Sequence, residues 1–499
     1  MAERAAGGDR ARSLGDLGLA ARDRREARIT GISVDSRTVR PGHLFAALPG
    51  NRVHGAGFVS YALRMQAGAI LTDAAGAAQV RDAVEAAGVP LVVAEDPRQA
   101  LAYAASLWFE DQPETIVAVT GTNGKTSVAS FTRQIWTLLG AQAASLGTLG
   151  VEGAFSAPLA HTTPEPVTLH GLLAQMAQAG VSHLALEASS HGLDQRRLDG
   201  VRMQAGAFTN LSQDHLDYHG DLAGYLKAKL GLWERVLPEE SAAVINLDDP
   251  VSGDVIAMCR TRGHRLLGVG RRQWAQLRIL AQRPEATGQL LRLEWERTPY
   301  TVHLPLIGEF QAGNVALAAG LAIATGADPA AVFGVLPRLQ TVRGRMQHVA
   351  TRANGAPVFV DYAHTPAALA TALQALRPHV IGRLVVVFGA GGDRDRGKRP
   401  MMGKAAAVHA DVVYVTDDNP RSEAPAGIRA AILQGCPDAN VVGDRAEAIL
   451  RAVDSLQAGD ALLIAGKGHE TGQVVGDTVY PFDDGEQASI AVAALDGVT

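Results

Sequence analysis

Apolar and polar positions along the chain follow two periods, and where they switch predicts the elements. Between Ile29 and about Pro113, GISVDSRTVRPGHLFAAL reads as short strands broken at Pro41-Gly42. AGAILTD and VPLVVAED read as two more strands, with helix-patterned AAQVRDAVEAAG between them. This predicts a small α/β domain. The Arg-, Asp- and Ala-rich start, about 30 residues, lacks the pattern and is expected to be a frayed helix or tail. A second unit opens with the buried-strand run TIVAVT from Thr115, a glycine-containing turn, and helical spacing from Val128 to Leu139. HLALE (183–187), GAFTN (206–210) and the AAVIN run ending at Asn246 are further strands, and Gly308 to Ala324 reads as a helix. A third unit opens near Thr341, with strands PVFVDY (357–362), RLVVVFGA (383–390), DVVYVTDD (411–418) and ALLIAGKG (461–468). Ala367–Leu376 and Ala446–Leu456 are its predicted helices.

Strand, turn and helix alternate, which predicts parallel sheets. The predicted fold class is α/β in three domains with seams near Pro113 and Leu339. These are a small N-terminal α/β domain (1–113), a central doubly wound parallel sheet (114–339) and a C-terminal Rossmann-like domain (340–499). Three strands of the last domain run into polar loops, GGDRDRGKRP, DDNPRSE and GKGHETGQ. Ligands bind at the carboxyl ends of strands in open parallel sheets, so three such loops predict one shared site.

Composition changes this picture little. The 499 residues suit about three domains. A hydrophobic fraction of 47% with 19% charged residues excludes wholesale disorder. The formal charge of −5 argues against a broad nucleic-acid surface. Cys259 and Cys436 are too far apart in sequence for a disulfide scaffold, which fits a reducing cytosol. The longest apolar stretch, Val315 to Leu336, is interrupted by glycines and Asp328, so no membrane span is expected.

The candidate chemistry begins at Gly121-Thr122-Asn123-Gly124-Lys125-Thr126-Ser127, which follows a predicted strand and opens a helix. Glycines let backbone N–H groups turn toward phosphate oxygens, and the helix N-terminus favours an anion. Lys125 can reach the β- and γ-phosphates, and the Thr126 hydroxyl suits Mg²⁺. Taken from Gly121, the spacing is shorter than the common Walker form, and a plain strand–helix turn with an exposed lysine is the alternative. Glu187 ends a strand and offers Mg²⁺ a hard oxygen. His215 and His219 follow another strand as candidate ligands or as loop hydrogen-bonding groups. The two cysteines give no zinc-type cluster. Lys229, in YLKAKL, reads on helical grounds alone as a solvated lysine.

These stretches together resemble the Mur ligases, ATP-dependent amino-acid ligases of peptidoglycan precursor synthesis. The matching elements run from about Ser33 to Asp484. They include GTNGKTS (121–127), HTTPEP (161–166), LEASSHGLDQRRL (186–198), FTNLSQDHLDYHG (208–220), YLKAKL (225–230), GEFQAGNVALAAG (308–320), VDYAHTP (360–366), VFGAGGDRDRGKRP (387–400), DDNPR (417–421) and GKGHE (466–470). The resemblance implies that ATP binds at Gly121 to Ser127 together with Asn314, Arg345 and Asp361. It implies that Ser36, Thr162, Thr163, Ser189, Gln195 and Arg197 hold UDP-N-acetylmuramoyl-L-alanyl-D-glutamate. It gives Arg394, Asp418, Asn419, Pro420, Arg421, Gly466 and Glu470 to an amino-acid pocket. In this family DNPR accompanies meso-2,6-diaminopimelate. That agrees with a guanidinium clamping the extra carboxylate and Glu470 receiving the distal ammonium.

By the same resemblance Lys125, Glu187, His215 and Lys229 are catalytic, and Lys229 is carbamylated. Thr126, Glu187, His215 and carbamylated Lys229 would then be Mg²⁺ ligands. The implied reaction passes the γ-phosphoryl of ATP to the D-glutamyl γ-carboxylate, and the amine of meso-diaminopimelate attacks the acyl phosphate. The implied chain is a cytoplasmic monomer with small-molecule partners, no nucleic acid and no membrane span. His161 and Gln311 depart from the family, which has asparagine at both places, and GNRVHGAGF (50–58) departs in the uridine region. The competing readings are a lysine-adding relative, a folylpolyglutamate synthase-like ligase, a P-loop switch and a uridine-nucleotide binding module. Arg421 weighs against the first, GKTS with the DNPR and GKGHE loops against the second, and the GGDRD, DNPR and GKGHE loops against the third. Lys125 and Glu187 would be unexplained by the last.

Overall fold

The computed structural model describes residues 11–21, 26–50, 53–285 and 287–497, and the backbone alone at Asp217. The chain forms two compact units, Met1–Ala275 with Leu317–Asp328, and Gln276–Ala316 with Pro329–Thr499.

The first unit begins with a parallel four-stranded sheet, β1 (Gly31–Ser33), β2 (His43–Ala46), β3 (Ala69–Thr72) and β4 (Leu91–Val93), in sequential order. Ala74–Ala86 is the predicted helix, capped by Asp73. The expected N-terminal tail is corrected. Arg12–Ser13 pairs antiparallel with Arg28–Ile29, and Leu14, Leu17, Leu19 and Ile29 are buried in the domain core. Those leucines carry a core-forming signal that the surrounding arginines mask. Residues 1–10 and 22–25, and Asn51-Arg52 of the uridine-region segment, lie outside the described residues.

The rest of this unit carries β5 (Thr115–Thr120), β6 (Ala143–Gly147), β7 (Gly150–Gly153), β8 (His183–Glu187), β9 (Ala205–Phe208), β10 (Ala242–Asn246) and β11 (Arg265–Gly270). Their order is β11-β10-β9-β5-β8-β6-β7, parallel except for the β6–β7 hairpin. All six β5 residues are buried, as a strand covered on both faces requires. β5 sits between β8 and β9, where the order reverses, so a crevice opens at its carboxyl end. Helix α1 (Lys125–Leu138) follows β5, and helix α2 (Leu222–Gly231) follows β9.

The second unit opens with an antiparallel meander, β12 (Leu277–Glu285), β13 (Gly288–Trp295) and β14 (Thr298–Leu304), absent from the sequence expectation. Helix α3 (Phe310–Ala324) follows in the chain, its residues to Ala316 belonging to this unit and those from Leu317 to the first. A six-stranded sheet then runs β15-β16-β20-β17-β18-β19. Its strands are β15 (Gln347–Thr351), β16 (Pro357–Asp361), β17 (Leu384–Phe388), β18 (Val412–Val415), β19 (Asn440–Val441) and β20 (Ala461–Ala465). Only β15 is antiparallel. Val386 and Phe388 face one core and Val385 and Val387 another, so this sheet is covered on both sides. Helices α4 (Lys398–His409), α5 (Arg445–Asp454) and α6 (Asp484–Asp496) and the hairpin β21 (Gly472–Val475)–β22 (Thr478–Pro481) complete it. β20, β17 and β18 are consecutive neighbours, which places their three polar loops side by side.

Candidate functional site

In the first unit the loop Gly121–Gly124 turns from β5 into α1. Gly121 (φ 142°) and Gly124 (φ 85°) take backbone conformations that other residues rarely adopt. A Cβ at Gly121 would also overlap the Thr209 hydroxyl. The end of β9 braces the loop: Thr122 N–H donates to Asn210 O at 2.8 Å, Asn123 N–H to Asn210 Oδ1 at 2.9 Å, and Thr209 Oγ1 to Asn123 O at 2.6 Å. Lys125 Nζ folds onto the loop, donating to Gly121 O (3.0 Å) and Thr122 O (2.8 Å). Thr126 and Ser127 are buried in the first turn of α1, whose N–H groups form an anion-favouring end.

Glu187, at the end of β8, is 2% exposed. Its Oε2 accepts from Thr126 Oγ1 at 3.0 Å and Thr148 Oγ1 at 3.2 Å, and its Oε1 accepts from Thr148 N–H at 2.7 Å. Gly147 leaves room for this carboxylate, since a Cβ there would overlap Oε1. Thr126 and Glu187 thus form a hard-oxygen pair beside the Gly121–Gly124 loop, the donor chemistry Mg²⁺ prefers. Among the described residues, no group of three or more His, Cys, Asp or Glu side chains could hold a metal.

Lys229 is buried, correcting the reading of a solvated lysine. Its Nζ donates to Gly121 O at 2.7 Å and lies 4.2 Å from the Tyr225 ring centroid. Burial, with the nearby Lys125 charge, holds its amine well below the usual lysine range. His215 takes a left-handed backbone conformation (φ 53°), and its ring lies 4.8 Å from His191 and 6.2 Å from Tyr225. Its link to Lys229 runs through the Tyr225 ring. His219 donates to or accepts from Ser190 Oγ at 3.0 Å.

Hydrogen bonds through Thr148 and Glu187 join Thr162, Thr163, Ser189, Gln195 and Arg197 into one network. Thr162 bonds Thr148 at 3.1 Å, and Thr163 Oγ1 donates to Glu187 O at 2.9 Å and accepts from Ser189 N–H at 3.1 Å. Arg197 donates to Thr163 O at 2.6 Å and to Gln195 Oε1 at 2.7 Å. Ser36 stands apart in the sequence, in the short turn Ser36–Thr38 after β1.

In the second unit, Asp361 ends β16 and accepts from Met346 N–H (2.6 Å) and Ala363 N–H (2.9 Å). Burial pushes its carboxyl up, and the Arg345 charge opposes this. Arg345 stacks 4.5 Å above Tyr362. On α3, buried Asn314 donates to Gln311 Oε1 at 3.2 Å, so the departure at Gln311 retains a polar partner.

The loops after β17, β18 and β20 meet as expected. Gly392 N–H donates to Asn419 O at 3.0 Å, and Arg421 Nη1 donates to Gly392 O at 2.9 Å. Gly391 is tight between two cations: a Cβ there would stand 2.9 Å from Arg421 Nη1 and 3.7 Å from Arg394 Cγ. Arg394 is exposed, and Pro420 is buried against Gly392. Asp418 leaves no room for a side chain at Gly466. Glu470 Oε2 accepts from Asn419 Nδ2 at 2.8 Å. Burial, then the Asp418 charge, raises the Glu470 carboxyl above its usual range. The three loops thus bring Arg394 and Arg421 beside Gly391, and Asp418 and Glu470 beside Asn419 and Gly466.

Sequence reasoning missed Thr148, Arg399, Glu423, Arg445, Lys467 and Asp484. Glu423, in the loop after β18, binds both Arg399 terminal nitrogens (2.8 and 3.1 Å) and Asp393 N–H (2.7 Å). Arg399, Glu423 and Lys467 stand inside the GKRP, DNPRSE and GKGHE stretches, a signal that was available. Arg445 and Asp484 had none.

Comparison with known proteins gives consistent matches. The model of the Mur ligase middle domain matches residues 119–322, that of the Mur ligase glutamate ligase domain 344–468, and that of the Mur ligase family catalytic domain 28–108. The UDP-N-acetylmuramoyl-L-alanyl-D-glutamate–2,6-diaminopimelate ligase of Bradyrhizobium diazoefficiens is 52% identical over 470 residues, covering 93% of this chain and 95% of that protein. Its namesake from Caulobacter vibrioides is 50% identical, covering 94% and 96%. A solved structure of a ligase of that name has a TM-score of 0.71 at 33% identity, covering 97% of this chain and 99% of the other.

Proposed function

This chain belongs to the Mur ligase family, and from that premise we propose that it joins meso-2,6-diaminopimelate to the D-glutamyl γ-carboxylate of UDP-N-acetylmuramoyl-L-alanyl-D-glutamate, at the expense of ATP, in the cytoplasm. The observation that carries the choice of amino acid is the meeting of the loops after β17, β18 and β20. Their two cations, Arg394 and Arg421, suit the distal carboxylate, and Glu470 suits the distal ammonium. L-lysine has only the ammonium and would leave the guanidinium groups unmatched.

A carboxylate is a poor electrophile, so it takes the γ-phosphoryl group of ATP first, leaving ADP. The amine then adds to the acyl carbon, the tetrahedral intermediate expels phosphate, and the nitrogen loses its proton. The protein supplies positioning and charge neutralisation. The Gly121–Ser127 loop holds phosphate oxygens with backbone N–H groups, and Lys125 leaves the Gly121 and Thr122 carbonyls to meet them. Thr126 and Glu187 would hold Mg²⁺, which supplies charge neutralisation on the transferring phosphoryl group. Lys229, whose environment favours the neutral amine, can add CO₂ to give a carbamate and a proton. The carbamate replaces a buried cation by an anion with oxygen donors. Thr162, Thr163, Ser189, Gln195 and Arg197 orient the acceptor peptide, and Asn314, Arg345 and Asp361 are the nucleotide contacts proposed for the second unit.

The test is phosphate release from ATP in the presence of the UDP-muramoyl dipeptide, with meso-diaminopimelate or L-lysine as the amine. Release is expected with meso-diaminopimelate. Release with lysine alone would make the chain a lysine-adding ligase, and release without either amine would make it a nucleotide switch.

A further inference from the structure

Beneath the loops after β17, β18 and β20 lie five charged side chains: Asp418, Arg445, Lys467, Glu470 and Asp484. Arg445 and Asp484 are closed on each other, with Nε and Nη2 of Arg445 each 2.7 Å from an Asp484 oxygen. Lys467 is different. It is 0% exposed, and its Nζ donates to Asn419 Oδ1 at 3.1 Å and Gly472 O at 2.8 Å. It lies 3.4 Å from Asp418 Oδ1 and 4.0 Å from Glu470 Oε2. A fully buried ammonium is costly unless its surroundings compensate it.

The arrangement around Asn419 shows what this cation does. Asn419 Oδ1 accepts from Lys467 and from Val474 N–H at 2.9 Å. Its Nδ2 therefore faces the other way and donates to Glu470 Oε2 at 2.8 Å. The chain of donors runs from Lys467 through Asn419 to the Glu470 carboxylate. Arg445 and Lys467 are buried with Asp418 and Asp484, whereas the Glu470 side chain is 34% exposed.

We propose that Lys467 is a positioning residue that, through Asn419, orients Glu470 and keeps it ionised, and so sets the affinity for the distal ammonium of the diamino acid. This rests on the functional reading above. Glu470 is faced by Asp418 and Arg421 from the loop after β18, and by Lys467 and His469 from its own loop; Arg445 from α5 and Asp484 from α6 lie behind. Burial and Asp418 raise its carboxyl, and Lys467 opposes them. Burial holds His469 down to about 4, so it is neutral near pH 7. Removing the lysine charge moves the Glu470 carboxyl further up. Its neutral fraction then grows as pH falls and shrinks as pH rises.

The experiment measures KM for meso-diaminopimelate by phosphate release, from mildly acidic to mildly alkaline pH. It uses wild type, Lys467→Met, Lys467→Gln, Glu470→Gln and the Lys467→Met/Glu470→Gln double variant, with melting curves for each. Lys467→Met is expected to raise this KM roughly tenfold or more at the acidic end, the loss of a charge-assisted contact. The deficit is expected to narrow as pH rises, with KM for ATP unchanged. The double variant is expected to be no worse than Glu470→Gln alone, because Lys467 acts through Glu470. An unchanged KM, a loss independent of pH, or additive losses in the double variant would overturn the assignment and leave Lys467 as an anchor for Gly472. If Lys467→Met does not fold, Lys467→Gln, which keeps a donor toward Asn419 without the charge, decides the same outcomes. A wild-type enzyme with no diaminopimelate-dependent phosphate release would overturn the functional reading and this assignment with it.

Discussion

Three side chains around the proposed phosphate and amino-acid sites show how position decides what a cation does. Lys125 rests on the Gly121 and Thr122 carbonyls, from which phosphate oxygens can draw it. Lys125→Ala is expected to abolish turnover while leaving equilibrium binding of the UDP-muramoyl dipeptide largely intact, which calorimetry checks. Arg421→Ala is expected to raise KM for meso-diaminopimelate by roughly tenfold or more, as a charge-assisted contact of about 1.5–3 kcal/mol implies, with little change in KM for ATP. An unaltered KM would remove Arg421 from the pocket. Lys229→Ala is expected to lose activity that added bicarbonate does not restore, since the amine that would take up CO₂ is gone. The burial of Lys229 was partly legible. It stands four residues after Tyr225, on the same helix face, and both are buried, whereas Lys227 between them is exposed. What the sequence could not show is that this face turns toward Gly121, a contact across 108 positions.

At the scale of elements, the strands were legible because buried parallel strands read as continuous apolar runs. The meander β12–β14 was harder. Leu291 and Leu293 are buried and Val302 and Leu304 likewise, each alternating with more exposed positions, but arginines and glutamates interrupt the pattern. The proposed amino-acid site was legible as three polar loops. The side chains that lock those loops together were not, because pairing across loops leaves no periodicity. Glu423 is the clearest case. It ties the β18 loop to Arg399 on α4 and to the Asp393 backbone, and Arg399 holds its carboxyl down to about 2. Asp393, Asn419 and Arg421 all have positive φ in these loops (53°, 42° and 51°), backbone states that need outside support. Glu423→Ala removes that support and leaves Arg399 without its carboxylate. It is expected to lower the melting temperature and to raise KM for meso-diaminopimelate by roughly 5- to 30-fold, with KM for ATP unchanged. Equal changes in both KM values would show a general loss of structure instead.

Across the whole molecule, stability below neutral pH is set partly by histidines buried in each compact unit. In the first, His170 is 1% exposed, and its Nε2 bonds the Asp199 carbonyl at 3.1 Å, which makes Nε2 the protonated nitrogen of a neutral ring. Burial holds His170 down to about 4, against an ordinary value of 6.5. In the second unit, burial and the nearby Arg345 charge hold His469 down to about 4 as well. The sign follows from linkage. Above pH 6.5 both rings are neutral in the folded and unfolded chain, and neither contributes a pH slope. Between 6.5 and about 4 the unfolded chain binds protons that the folded chain refuses, so stability falls as pH falls. Below about 4 the folded rings protonate too, and their contribution to the slope ends. The melting temperature is therefore expected to decline through this window, before the low-titrating Glu423 carboxylate begins to protonate. His170→Phe removes one titrating ring at similar apolar volume and leaves His469 in place. It is expected to flatten the decline, which melting curves at closely spaced pH values would measure. A slope unchanged by His170→Phe would assign the acid sensitivity to other groups.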